Sequence, residues 1–185
     1  MSGGRAPLAL VPHPDHDTGP VRGVEVAVTR TPDTLALRYA LEGDLDAIRI
    51  PPPVAPAIVH GLWEHTCFEL FIARDGEPAY HELNFAPSGA WAAFAFRGYR
   101  DGEPLRDAAL APDIATRREG GGTLLLDARV PLARLAPAYA GARLRLALTA
   151  VVEDARGGRS YWALHHPPGR ADFHHRDGFV LVLET

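Results

Sequence analysis

The run Leu62-Trp63-Glu64-His65-Thr66-Cys67-Phe68-Glu69-Leu70-Phe71-Ile72-Ala73, followed by Tyr80 to Ala86 and Trp91 to Arg97, decides the fold. It reads as three short strands separated by two reversals. Asp75-Gly76 and Ser88-Gly89 supply residues that tolerate positive φ where the chain turns back. A two-residue loop at Asp75-Gly76 sets Phe71 opposite Tyr80, Glu69 opposite Glu82 and Cys67 opposite Asn84. A two-residue loop at Ser88-Gly89 sets Leu83 opposite Phe94, Glu82 opposite Ala95, Asn84 opposite Ala93 and Tyr80 opposite Arg97. Side chains alternate along a strand, so one face collects Phe68, Leu70, Leu83, Phe85, Phe94 and Phe96, a core interrupted by His81. The other face collects Glu69, Glu82, Asn84, Tyr80, Arg97 and Trp91 over a floor of Ala93 and Ala95. That surface is an open trough with polar and aromatic walls.

Two glutamates opposed across a strand pair repel by roughly 0.2–1 kcal/mol. Compensation would come from Arg97, from a bound cation or from a ligand rich in hydroxyls. The alternative is that both carboxylates simply face water. Facing glutamates also suit a retaining glycosidase, which needs carboxyl groups roughly 5 Å apart.

Outward from this meander the pattern stays β. Leu8 to Val11 suits an edge strand, and Glu25 to Arg30 with Thr34 to Leu41 alternate as a hairpin pair. Ala47 to Ile50 is a short strand stopped by Pro51-Pro52-Pro53, and the stretch to Gly61 is loop. Asp101-Gly102-Glu103-Pro104 reads as turns. Strands follow over Ile114 to Arg118, Thr123 to Val130, Leu144 to Glu153, Ser160 to Leu164 and Phe179 to Leu183, with a helical turn at Pro131 to Leu135. About ten to twelve short strands without a long amphipathic helix require two packed antiparallel sheets. No repeat or boundary divides the chain, so a single domain spans 1–185, with 1–7 a disordered tail.

Composition narrows the function. The 185 residues carry a formal net charge of -4 and no basic cluster, which argues against nucleic acid or anionic membrane as partner. No apolar run reaches the roughly 20 residues of a membrane span. The N-terminal residues lack the apolar core of a signal peptide, and the one cysteine fits a reducing compartment, so the expected location is cytoplasmic. All basic side chains other than histidine are arginine, which excludes Schiff-base chemistry and a lysine-bearing phosphate loop.

Other candidate sites are weaker. His165, His166, His174 and His175 crowd one loop, but no metal-binding spacing frames them. His65 and Cys67 share a strand face and could form a thiolate–imidazole pair, although a lone cysteine in an apolar strand more often packs. Trp63, Trp91 and Trp162 stand at or near strand ends, where an indole can stack on a sugar or flat cofactor. Trp162 also suits the core.

The runs Trp63-Glu64-His65-Thr66-Cys67-Phe68-Glu69 and Glu82-Leu83-Asn84-Phe85-Ala86-Pro87-Ser88-Gly89, with Asp172-Phe173-His174 ahead of Phe179, resemble the DOMON-like bacterial proteins. Those are related to family-9 carbohydrate-binding modules and to DOMON haem- and sugar-binding domains. The resemblance implies an immunoglobulin-like or jelly-roll β-sandwich that binds a saccharide or haem. It matches Trp63 and Trp162 to the paired sugar-stacking indoles. The Met/His iron ligation of the haem domains has no counterpart, Met1 being the only methionine, so a haem here would rest on histidine alone, from His65, His165, His174 or His175. The expected function is non-catalytic binding of a small polyhydroxylated ligand, with Trp63, His65, Glu69, Glu82, Asn84, Trp91, Arg97, Trp162 and His174 as its site. A haem or metal binder and a glycoside hydrolase are the alternatives.

Overall fold

A computed structural model describes residues 6–184. The expected tail falls largely outside them; Ala6 and Pro7 lead directly into the first strand. Twelve strands lie among the described residues: β1 (Leu8–Pro12), β2 (Val21–Arg30), β3 (Thr34–Gly43), β4 (Cys67–Arg74), β5 (Tyr80–Phe85), β6 (Trp91–Gly98), β7 (Asp101–Leu105), β8 (Asp113–Glu119), β9 (Thr123–Pro131), β10 (Leu144–Glu153), β11 (Arg159–Ala163) and β12 (Leu181–Leu183). One helical turn, α1 (Leu132–Leu135), follows β9. No helix among these residues is long and apolar enough to cross a membrane.

The strands run in the order β7-β6-β5-β4-β10-β11-β1-β2-β3-β9-β8, and β12 pairs β10 beside β11. β1 is the join rather than an edge: Leu8 to Leu10 pair with β2, while Val11 and Pro12 pair with β11. A strand shared in this way lets one ribbon of antiparallel pairs fold over on itself as a sandwich. Alternating Val24, Val26, Leu37, Tyr39, Leu124 and Leu126 from one layer meet Phe68, Leu70, Leu83, Phe85, Leu146 and Leu148 from the other in one buried cluster. Tyr39 crosses the layers, its hydroxyl donating to the Glu69 carbonyl at 2.7 Å. His81, facing this core, is satisfied by Tyr139 Oη at 2.7 Å, and that hydroxyl donates to the Ile72 carbonyl.

Two local expectations are corrected. Asp101–Leu105 is a strand despite its Gly and Pro. It lies at the edge, where a residue without an N–H is tolerated. Conversely, Leu45–Ala47 is a 3-10 turn capped by the Asp44 side chain, and Ile48 makes one isolated bridge to Asp154.

The register of the meander differs from expectation in a way that matters for the site. In the first hairpin Glu69 pairs with Asn84, Phe71 with Glu82 and Ala73 with Tyr80. Pro78 cannot join the ladder, so the loop runs from Asp75 to Pro78, closed by the Glu77 N–H to the Arg74 carbonyl. That displacement is by two positions, and every side chain keeps its face. In the second hairpin Phe85 pairs with Trp91, Leu83 with Ala93 and Glu82 with Phe94. Here Ala86 pairs with Ala90, and Pro87-Ser88-Gly89 forms a three-residue loop with Gly89 at φ 93°. A displacement by one position turns β6 over. Trp91 and Ala93 therefore enter the core, and Phe94 and Phe96 emerge on the outer face.

Candidate functional site

The outer face of β4, β5, β6 and β10 is covered at both ends and hollow between. From one side, the segment before β4 runs beside Trp91: the Val59 N–H donates to the Trp91 carbonyl, and the Trp91 N–H to that of Ala57. It ends in a 3-10 turn, Leu62–Glu64, entered through Gly61 at φ 81°, which places Trp63 edge-on to Phe94 with ring centroids 5.7 Å apart. From the other side, the loop between β11 and β12 brings Phe173 and His174 over Phe71. His13 and His166 pin that loop to the region of β1, through Gly169 O and Val11 O respectively. Between these covers lies a cavity of about 370 Å³, within the usual range for small-molecule sites.

Glu69 and Glu82 form its polar floor. Contrary to the open trough expected, both are interior groups: Glu69 is 1% exposed, Glu82 5% and Asn84 0%. Glu69 Oε2 accepts from Thr149 Oγ1 at 2.9 Å, and Glu82 Oε1 accepts from Asn84 Nδ2 at 2.8 Å. The second oxygen of each carboxyl meets no hydrogen-bond donor within bonding distance among the described residues, and both side chains line the cavity. Burial away from water, and for Glu69 also the charge of Glu82, push both carboxyls well above their ordinary range, to about 8 for Glu69 and about 7 for Glu82.

His174 completes the polar set. Tyr80 Oη accepts the Arg100 N–H at 3.2 Å and lies 2.9 Å from His174 Nδ1. With that hydroxyl donating to Nδ1, the imidazole proton sits on Nε2, 3.6 Å from Glu82 Oε2. Burial pushes His174 down to about 4, so the ring is neutral near pH 7. Arg100 reaches this position through a left-handed backbone (φ 55°), at a cost of about 1–2 kcal/mol. Its guanidinium is engaged with Asp172 at 2.9 Å.

Of the residues singled out from the sequence, the cavity brings together Trp63, Glu69, Glu82 and His174. Asn84 lies beneath, orienting Glu82. The rest stand elsewhere. Trp91, 2% exposed, and Trp162 belong to the core, and Trp162 Nε1–H donates to Ser160 Oγ. Arg97 points to solvent and pairs with Asp101 at 3.0 Å. His65 Nδ1 is 2.7 Å from Glu153 Oε2. Ala93 is core, and the floor expected of alanines carries Phe94 and Phe96 instead. Phe71, Phe94, Phe96, Tyr161 and Phe173 are wall residues absent from the expected set. Phe94 and Phe96 were accessible through the Pro87-Ser88-Gly89 signature of a three-residue loop; Phe173 had only its place beside His174 to mark it.

The remaining candidates from the sequence have these surroundings. Cys67 Sγ faces the Phe68 carbonyl and Asn84 Oδ1, and burial with the neighbouring Glu69 and Glu82 pushes its thiol well up, so no thiolate–imidazole pair forms with His65. Among the described residues no group of three or more His, Cys, Asp or Glu is placed to hold a metal ion. His174 is the one imidazole lining the cavity, and its Nδ1 lies 2.9 Å from Tyr80 Oη.

No family model and no curated protein matches the chain. Among solved structures it is similar to a candidate carbohydrate-binding protein from Bacteroides uniformis ATCC 8492, at a TM-score of 0.71 and 16% identity over 94% of this chain and 82% of that one. It is also similar to a family-9 carbohydrate-binding module from Caldicellulosiruptor kristjanssonii, solved with glucose (TM-score 0.49, 11% identity, 84% of this chain and 72% of that one). The same module with cellotriose gives a TM-score of 0.49 and 11% identity over 84% and 70% of the two chains. Fold and site together define a β-sandwich with a carboxylate-floored, aromatic-walled cavity on the outer face of one layer.

Proposed function

We propose that the chain is a non-catalytic binding protein for a small polyhydroxylated ligand, a saccharide, held in this cavity. The carrying observation is that Glu69 and Glu82 each turn one oxygen without a donor into a space walled by Trp63, Phe71, Phe94 and Phe173. Hydroxyl groups would donate to those oxygens, while the C–H faces of a pyranose would lie against the rings. The Nε2–H of His174 adds a donor for a ring or hydroxyl oxygen. The carbohydrate-binding description of the Bacteroides uniformis protein supports the same ligand class. A DOMON-like kinship of this chain and a small-molecule partner are part of the same reading.

Titration calorimetry with a panel of mono- and disaccharides tests it. Binding should weaken sharply in Glu82→Gln and Trp63→Ala while their melting transitions stay close to that of the parent chain. Absence of binding to every sugar would overturn the reading. Turnover of chromogenic glycosides that disappears in Glu69→Gln would replace it with hydrolysis by the same two carboxyls.

A further inference from the structure

The cavity holds two carboxyls that would gain from a positive charge brought in by a ligand. Two carboxyls occupy its floor on adjacent strands, diagonal to one another because Glu69 pairs with Asn84 and Phe71 with Glu82. Each is tied by one oxygen to a neutral partner, Thr149 or Asn84. Of the basic groups nearby, Arg100 is bound to Asp172 and His174 is held neutral by burial. Arg159 also lines the cavity, but its side chain is exposed and makes no ion pair among the described residues. The walls are aromatic side chains, Trp63, Phe71, Phe94, Phe96, Tyr161 and Phe173.

A neutral sugar would hydrogen-bond these carboxyls in their protonated state and leave the repulsion that opposes their ionisation in place. An anionic sugar would add to it. A ligand bearing a protonated amine would favour their ionised form and gain charge-assisted hydrogen bonds. Resting on the saccharide reading of the site, we propose that the preferred ligand is an amino sugar bound as its ammonium form, with the N–H donors set between the free oxygens of Glu69 and Glu82. Because both carboxyls hold protons more tightly than usual when the cavity has no ligand, seating an ammonium group there would expel a proton.

Calorimetry at about pH 6.5, in two buffers of different ionisation enthalpy, separates the outcomes. The probes are glucose and galactose, their 2-amino-2-deoxy forms, and the N-acetylated forms of those amines. The amino sugars are expected to bind about tenfold more tightly than the parent sugars, with an enthalpy that depends on buffer because protons are released. In Glu69→Gln, and separately in Glu82→Gln, that preference should shrink. Equal affinity for parent and amino sugars, or N-acetyl forms as tight as the amines, would overturn the inference and leave the saccharide reading standing. No binding by any probe would overturn both.

Discussion

His174 Nε2 stands 3.6 Å from Glu82 Oε2, although about ninety residues separate the two along the chain. The contact depends on Tyr80, whose hydroxyl links the Arg100 N–H to His174 Nδ1. Tyr80→Phe leaves the part-buried Arg100 N–H and His174 Nδ1 without this partner and should cost about 0.5–1.5 kcal/mol. Sugar binding should weaken with it, because the cavity wall formed by the loop loses its anchor. Denaturant unfolding beside calorimetry checks this; an unchanged midpoint with unchanged affinity would show that the hydroxyl holds nothing in place.

The carboxyls make stability depend on pH. Glu69 and Glu82 bind protons more tightly folded, near 8 and 7, than at the ordinary 4.5. Their contribution is therefore complete below that ordinary value and is lost as pH rises through 7 and 8. His174 acts in the opposite sense: lowered from 6.5 to about 4, its contribution is present above 6.5 and lost as pH falls toward 4. The melting temperature should decline from mildly acidic to mildly alkaline pH, and Glu69→Gln should flatten that decline. A parent profile without slope between pH 6 and 9 would contradict the burial of the pair.

Two tryptophans should respond differently to truncation. Trp91 is wholly interior, so Trp91→Ala should cost about 3–5 kcal/mol. Trp63 is half-buried at the cavity lip, and Trp63→Ala should shift stability by less than about 1 kcal/mol while sharply reducing sugar affinity. Thermal melts and titrations of both variants decide the matter; a mild Trp91→Ala would put that indole back on the outer face.

Cys67 should be inert in the folded chain. Its sulfur is fully buried beside two carboxyls that oppose a thiolate. A thiol reagent should label it only in denaturant. Rapid labelling under native conditions would mean that β4 opens on its outer face.

Much of this could be read from the residues in order. Alternation along Thr34 to Leu41, Thr123 to Val130 and Leu144 to Glu153 marks strands, since a period of two is a local property of extended backbone. The shared face of Glu69 and Glu82 was equally legible, because the first hairpin differs from its simplest register by an even number of positions. The second hairpin differs by one, and whether Trp91 or Phe94 faces outward turns on a loop of Pro87-Ser88-Gly89 in place of Ser88-Gly89.

The amino-acid order by itself determined an all-β chain of antiparallel hairpins with two carboxylates side by side on one face. Only the tertiary structure decided that this face is a walled cavity and not a flat trough. Its walls come from Trp63, ahead of the meander, and from Phe173 and His174, about a hundred residues beyond Glu69. Local periodicity sets which way a side chain points from its own strand, but what packs over it depends on distant segments whose docking no local pattern encodes.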